Sequence, residues 1–230
     1  MQEQQETIVI SLGGSLVVPE DVDTAFLRAF REVVIRFVGE GKHFVIVVGG
    51  GRTCRKYQYA AKELGETSKF DLDWIGIDAL RLNGRLLQTI FKGYSYEEVV
   101  NVPSELSGVD ASVIIGGAHA PGSSSDLDAV DFAEVVGARK IVNLSNIDHA
   151  YDKDPKKFSD AKPIENISWE EYRKLIPSEW DPGLSSPFDP IASKKAQELG
   201  IEVAIINGTN IENFEKYLRG EAFIGSVLHS

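Results

Sequence analysis

The segment from Thr7 to Ser15 has the sequence TIVISLGGS, an apolar run that ends directly in two glycines and a serine. Residues 44–51 repeat this arrangement, because FVIVV is followed there by three glycines. Near-continuous apolar runs of this length, rich in Val and Ile, are typical of parallel β-strands that are covered on both faces. Both segments are therefore predicted to be buried parallel strands that end in glycine-rich loops.

Further strands and helices are predicted to alternate along the rest of the chain. The other strands are expected at residues 112–115, 140–144 and 202–206. Helices are expected between the strands, at residues 23–38, 52–64, 74–91, 126–136, 169–176, 189–199 and 211–218, with Asp23 as the cap of the first. Such alternation predicts an α/β fold, a three-layer αβα sandwich with a mainly parallel central sheet.

Composition and charge exclude several classes of protein. The 230 residues suit one large domain, and the 43% hydrophobic and 26% charged content is that of a globular chain. A net charge of −11 disfavours binding to nucleic acid or to anionic membranes. The single Cys54 cannot form an intrachain disulfide, and the sequence has no signal peptide and no apolar run of about 20 residues. We therefore expect a cytoplasmic protein.

Glycine-rich loops follow three of the predicted strands. Their sequences are GGS at residues 13–15, GGGR at residues 49–52 and GGAHAPGSSSD at residues 116–126. In open parallel sheets ligands bind beyond the carboxyl ends of the strands, and glycine lets a phosphate approach the backbone near a helix start. One such loop is weak evidence, but three at one sheet edge predict several phosphate groups bound side by side, those of a donor and an acceptor.

The sequence lacks the common phosphate-binding signatures. It contains no G-x-x-x-x-G-K-[ST] motif, no G-x-G-x-x-G after a strand, and neither H-R-D nor D-F-G. These absences argue against a P-loop NTPase, a dinucleotide-binding enzyme and a protein kinase. Phosphoryl transfer on this chain would therefore depend on positioning, backbone donors, a metal ion and cationic side chains.

Segments along almost the whole chain resemble the amino-acid kinase superfamily, and within it the uridylate (UMP) kinases of archaeal type. The resemblance is carried by residues 8–20, 47–57, 73–87, 116–126, 146–157 and 188–201. It implies one amino-acid kinase-like domain that transfers a phosphoryl group from ATP, with Mg²⁺, to UMP. It further implies an acceptor-binding lobe at about residues 1–135, an ATP-binding lobe at about residues 136–230, and a homo-oligomer (dimer or hexamer) to which the apolar helix at residues 74–91 contributes.

The resemblance also implies roles for individual residues, and none of them is assigned as a metal ligand. The residues expected to carry the chemistry are Ser15, Arg55 and Asp126. Those expected to bind ATP are Gly14, Ser15, Gly51, Arg55, Ser145, Asn146, Tyr151 and Asp154. Those expected to bind UMP are Gly50, Asp73, His119, Gly122, Ser123, Ser124 and Ser125.

Simpler interpretations remain open for several of these side chains. Arg55 would also suit a solvated helix position, and Asp73 and Asp126 would each suit the N-cap of a helix. Asp128 and Asp131 would form a solvated helix face, and Cys54 would be a small residue on a helix face. Of the four histidines, only His119 is expected to take part in the site.

The sequence departs from the superfamily pattern at two lysines. Ser11 stands two residues before the first double glycine, where many members carry a lysine, and Ser186 stands near the second lysine position. Lys194, Arg52, Lys56 or Mg²⁺ would have to supply the missing positive charge. The departure keeps two alternatives open: a non-catalytic nucleotide- or oxyanion-binding protein on the same fold, and a sister kinase for another small acceptor.

Overall fold

The structure, a computed structural model, describes residues 6–65, 67–106, 109–118, 120–179 and 186–230. Its strands, in chain order, are β1 (Thr7–Leu12), β2 (His43–Val48), β3 (Val113–Gly116), β4 (Lys140–Ser145), β5 (Ala150–Tyr151), β6 (Pro163–Ile164), β7 (Asn166–Ser168), β8 (Glu202–Asn207) and β9 (Ser226–His229). Its helices are α1 (Gly14–Val17), α2 (Thr24–Gly39), α3 (Gly51–Leu64), α4 (Lys69–Ile90), α5 (Ser125–Val136), α6 (Trp169–Leu175), α7 (Pro190–Leu199) and α8 (Ile211–Leu218). A short 3₁₀ helix spans Pro103–Leu106.

Seven strands form one sheet in the order β3-β2-β1-β4-β8-β9-β7. The first five strands of this order are parallel to one another, whereas β9 runs antiparallel to β8 and pairs in parallel with β7. Strands β5 and β6 form a separate two-stranded ribbon. The predicted mainly parallel sheet is thus confirmed, and the five predicted strands fall within two residues of their observed bounds.

Two hydrophobic clusters cover the two faces of the sheet. One contains side chains of α1, α2, α8 and the end of α4, and the other contains side chains of α5, α6 and α7. Successive strand residues alternate between them, since Ile8 and Ile10 belong to the first cluster and Val9 to the second. This arrangement is the predicted three-layer sandwich.

Polar caps fix where most of the helices begin. Asp23 accepts a hydrogen bond from the Phe26 N–H, as predicted. Asp189 caps α7, whose first residue is Pro190. The helix predicted from residue 74 begins five residues earlier, because Ser68 and Asp71 form a capping box there.

None of the helices in the described ranges is long and apolar enough to cross a bilayer.

Candidate active site

A cleft of about 580 Å³ lies at the carboxyl edge of the parallel strands. It is bordered by the loops that follow β1, β2 and β3, by one side of α4 and by the segments after β4. Of the residues singled out in the sequence, the cleft is lined by Gly14, Ser15, Gly50, Gly51, Arg55, Asp73, Ser123, Ser124, Ser125 and Asn146. The structure therefore brings the three glycine-rich loops together.

The first two glycine loops touch through their backbones. A Cβ atom on Gly14 would lie 2.2 Å from the Gly51 nitrogen and 2.4 Å from the Gly49 carbonyl oxygen. Gly51 has a φ of +65°, a conformation that L side chains rarely adopt. Asn83 of α4, which is buried, donates a hydrogen bond of 2.9 Å to the Gly49 carbonyl from the other side. The contact requires glycine at both positions and brings the start of α3 against the first loop.

Helix α4 holds the loop that follows β3 at two points. Asp73 Oδ2 accepts a hydrogen bond of 2.9 Å from the Gly122 N–H, and Arg81 Nε donates one of 3.1 Å to the Ala118 carbonyl. The interpretation of Asp73 as an N-cap is wrong, since Ser68 caps α4 and Asp73 lies within the helix. Asp73 instead ties α4 to a loop that lines the cleft.

Asp126 joins three elements next to this loop. Its Oδ1 accepts hydrogen bonds from Ser11 Oγ of β1 (2.8 Å) and Asn143 Nδ2 of β4 (3.3 Å), and its Oδ2 accepts one from the Asp189 N–H at the start of α7 (3.1 Å). The N-cap interpretation is wrong for Asp126 as well, because Ser124 caps α5. Ser11 therefore occupies the position of the absent lysine with a neutral hydroxyl donor.

The carboxyl groups of Asp126 and Asp189 both have raised pKa values. Burial, opposed by the hydrogen bond from Ser11, raises the pKa of Asp126 to about 7, and the nearby charge of Asp189 adds to the effect. Burial also raises the pKa of Asp189, whose Oδ1 accepts a hydrogen bond from the Ala192 N–H. Withdrawal from water disfavours the charged form of a carboxyl group, so both groups hold a proton to higher pH than exposed aspartates do.

Asp128 lines the cleft and is buried, with 3% of its surface exposed. The prediction of a solvated face is therefore wrong for Asp128. Its neighbour Asp131 is half-buried and forms an ion pair of 2.8 Å with Lys195 of α7. In the sequence, the spacing of Asp128 and Asp131 is compatible with an exposed helix face. Their burial follows from the packing of α5 against the sheet and α7, which the sequence pattern does not show.

The described lining of the cleft contains two cationic side chains, Arg55 and Lys156. Arg52 and Lys56, two candidates for replacing the absent lysines, instead form ion pairs with Glu20 at 3.1 and 3.7 Å. Lys194 is exposed on α7 and does not line the cleft. Lys156 was not predicted from the sequence as a residue of the site, because two adjacent lysines, Lys156 and Lys157, resemble an ordinary solvent-exposed pair.

The residues expected on the ATP side are more dispersed. Asn146 reaches the cleft, and the buried Oγ of Ser145 has no partner among the described residues. Tyr151 lies on β5, edge-on to the ring of His149. Asp154 accepts a hydrogen bond from the Lys156 N–H and pairs with Lys157 at 3.5 Å.

Two further sequence expectations concern His119 and Cys54. His119 lies outside the described residues. Cys54 lies on α3 at the cleft wall, and burial raises the pKa of its thiol. A thiol that stays protonated is a poor nucleophile, which agrees with the absence of any cysteine-based motif.

Comparison with known proteins identifies the architecture that carries this cleft. The model of the amino acid kinase family matches residues 6–207. The chain belongs to the amino acid kinase family. The matched residues include strands β1 to β8 and the strand-end loops that border the cleft.

Uridylate kinases are among the most similar family members. The uridylate kinase of Methanocaldococcus jannaschii is 35% identical over 88% of this chain and 91% of its own length. That of Methanothermobacter thermautotrophicus is 36% identical over 93% of this chain and 96% of its own length. The crystal structure of uridylate kinase from Archaeoglobus fulgidus superposes with a TM-score of 0.80 at 31% identity and covers 96% of this chain and 99% of that one.

Proposed function

We propose that this protein is a uridylate kinase, which converts UMP and ATP into UDP and ADP. The observation that carries the proposal is the cleft at which α3 and α5 both begin, on a chain whose relatives bear that name. The N-termini of two helices present backbone N–H groups and the positive ends of their dipoles, which favour phosphate. Two such N-termini on one cleft suit a reaction between two phosphorylated molecules.

The chemistry is a direct in-line transfer with no covalent intermediate. An oxygen of the UMP phosphate attacks the γ-phosphorus of ATP, the new P–O bond forms, and the bond to the β-phosphate oxygen breaks to release ADP. The enzyme contributes positioning and charge stabilisation. Gly14, Ser15 and Gly51 hold the ATP phosphates, and Arg55 bridges the phosphates that are being joined.

The acceptor occupies the side of the cleft formed by α4 and the loop after β3. Gly50 and Asp73 contact the nucleotide, and the loop residues Gly122 and Ser123–Ser125 surround its phosphate, with His119 in the same loop. Asp126 keeps β1, β4 and α7 in register next to the reacting groups. Ser145, Asn146, Tyr151 and Asp154 form the ATP side. The corresponding lobes span about residues 1–135 and 136–230.

Mg²⁺ enters as the Mg·ATP complex, which is the substrate. In the described parts of the chain, no three His, Cys, Asp or Glu side chains are arranged to hold a metal ion. Mg²⁺ in phosphoryl-transfer sites commonly takes its ligands from the substrate phosphates and from water.

We expect Lys156→Met to lower kcat by about a hundredfold or more, the loss that commonly follows removal of one electrostatic stabiliser of a transition state. Lys156 and Ser186 both line the cleft, and Lys156 forms no ion pair with any described residue. It is therefore free to approach the transferring phosphoryl group. The matched control is Lys157→Met, which removes the neighbouring lysine that pairs with Asp154. Equal kcat values in the two variants would contradict this role.

The protein is expected to assemble with further copies of itself through α3 and α4. All of α3 is described, and Gly51 is its only buried residue. Tyr57, Tyr59 and Phe70 expose 67%, 67% and 58% of their surfaces on these two helices. Large aromatic side chains are enriched at protein interfaces relative to the rest of the surface. Sedimentation velocity should show a dimer or larger species that Tyr59→Glu weakens, and a wild-type monomer at working concentration would refute the assembly.

The acceptor panel tests the proposed function. ADP release is measured with Mg·ATP and UMP, CMP, AMP, GMP or no acceptor. Uridylate kinase activity predicts turnover that depends on UMP. Clear ATP binding with no turnover on any acceptor would instead favour a nucleotide-binding protein on the same fold, the alternative that Ser11 and Ser186 keep open.

With a single cysteine and no membrane segment in the sequence, we place the protein in the cytoplasm.

A further inference from the structure

The buried carboxyl group of Asp128 has one satisfied and one unsatisfied oxygen. Its Oδ1 accepts a hydrogen bond of 2.8 Å from Ser123 Oγ. Its Oδ2 is buried and has no hydrogen-bond partner among the described residues. Both residues line the cleft, and Ser123 belongs to the loop that follows β3. Asp128 as a whole residue is only 3% exposed. A buried polar atom without a hydrogen-bond partner carries a desolvation cost, so Oδ2 calls for a functional explanation.

The charges around Asp128 favour its protonated form. Burial is the largest cause that raises its pKa to about 7; the hydrogen bond from Ser123 opposes the rise, and Asp131 and Asp126 of the same helix add to it. From α7, Lys195 pairs with Asp131 and Glu134. The other charged residues that line the cleft are Arg55 of α3, Asp73 of α4 and Lys156. Neither of the two cations forms an ion pair with Asp128 in the described structure.

The protonation state of Asp128 determines what Ser123 offers to the cleft. A hydroxyl has one proton to donate. When Asp128 is ionised, that proton is directed to Oδ1, and Ser123 presents lone pairs that repel an anion. When Asp128 is protonated, its own O–H donates to Ser123 Oγ, and the serine proton turns to another acceptor. The Ser124 carbonyl lies 3.3 Å from Ser123 Oγ, and a bound phosphate, which is charged, is the stronger acceptor of the two.

We propose that Asp128 is a positioning residue that takes up one proton from solvent when the acceptor phosphate binds and thereby turns the Ser123 hydroxyl towards that phosphate. The inference rests on the proposed function for the identity of the acceptor. It adds a coupling between proton uptake and UMP binding. No bond between heavy atoms changes: the proton leaves its donor in the solvent, and an O–H bond forms on the carboxylate of Asp128.

The coupling is measured by isothermal titration calorimetry of UMP alone, at pH 8, in buffers of different ionisation enthalpy. The wild type should take up nearly one proton per UMP, and its dissociation constant should rise up to about tenfold per pH unit above pH 7.5. Asp128→Asn, whose amide donates to Ser123 permanently, should take up no proton and bind UMP about tenfold more tightly than the wild type at pH 8.5.

Two further variants keep the test decisive. Asp131→Asn should retain the proton uptake, because Asp131 pairs with Lys195 and does not contact Ser123. Ser123→Ala keeps the buried carboxyl group and should reduce the uptake and weaken binding at pH 7. Equal uptake in the wild type, Asp128→Asn and Ser123→Ala would overturn the inference. If UMP does not bind the wild type at all, the proposed function itself fails, which is a different result.

Discussion

Replacing Gly14 by alanine should abolish turnover and lower the free energy of unfolding by about 3 kcal/mol or more, the upper range for overpacked positions. The new Cβ would lie 2.2 Å from the Gly51 nitrogen and 2.4 Å from the Gly49 carbonyl oxygen. Both obstacles are backbone atoms, so the collision is relieved only by moving α3 away from the first loop. That movement would separate the two loops that we propose to hold the ATP phosphates.

The control for this prediction is Gly39→Ala at the end of α2. No atom lies within 4 Å of its virtual Cβ, so the free energy of unfolding should change by less than about 1 kcal/mol, and toward greater stability. Urea unfolding and the ADP-release assay measure both effects. Wild-type turnover in Gly14→Ala would show that the contact between the two loops is not needed for catalysis.

Arg55→Met should lower kcat by about three powers of ten while the variant still folds. Arg55 is exposed at the cleft wall in the first turns of α3, so its removal costs little packing. A planar guanidinium donates to two phosphate oxygens at once, and the loss of such a group from a phosphoryl-transfer site commonly costs about 10³-fold or more. Arg55→Lys should restore only part of the rate.

Arg52→Met provides the matched comparison on the same helix. Arg52 pairs with Glu20 at 3.1 Å on the surface and does not line the cleft. Exposed ion pairs contribute about 0–1 kcal/mol, so kcat and stability should stay close to those of the wild type. Steady-state kinetics with UMP varied at saturating ATP compares the two variants. A similar loss in both would mean that α3 acts through its overall charge instead of through Arg55.

The sheet was predictable because its central strands are buried on both faces and leave continuous apolar runs. Strand β9 (Ser226–His229) was missed, since four residues in an antiparallel position leave no such run. The first turn of α4 was missed because KFDLD is rich in charge. Its signal was the capping box of Ser68 and Asp71, which marks a helix start in the sequence.

The loops of the site were predictable, but the contacts between elements were not. Each glycine-rich loop can be recognised from a single short segment of sequence, because the glycines directly follow an apolar strand. The hydrogen bonds of Asp126 join it to β1, β4 and α7, which are distant from one another in the sequence. No local sequence pattern predicts such a contact. A partial signal exists, since Ser11 and Asn143 interrupt otherwise apolar strands, and buried polar residues need partners. The burial of Asp128 left no comparable signal.

The fate of a labelled γ-phosphoryl group decides whether the protein is a uridylate kinase. ATP carrying ¹⁸O in its γ-phosphoryl group is incubated with Mg²⁺, UMP and the protein, and the products are analysed by ³¹P NMR. We expect ADP and UDP in equal amounts, with the label in the β-phosphoryl group of UDP. Label found only in ATP or in inorganic phosphate, with UMP unchanged, would contradict a uridylate kinase.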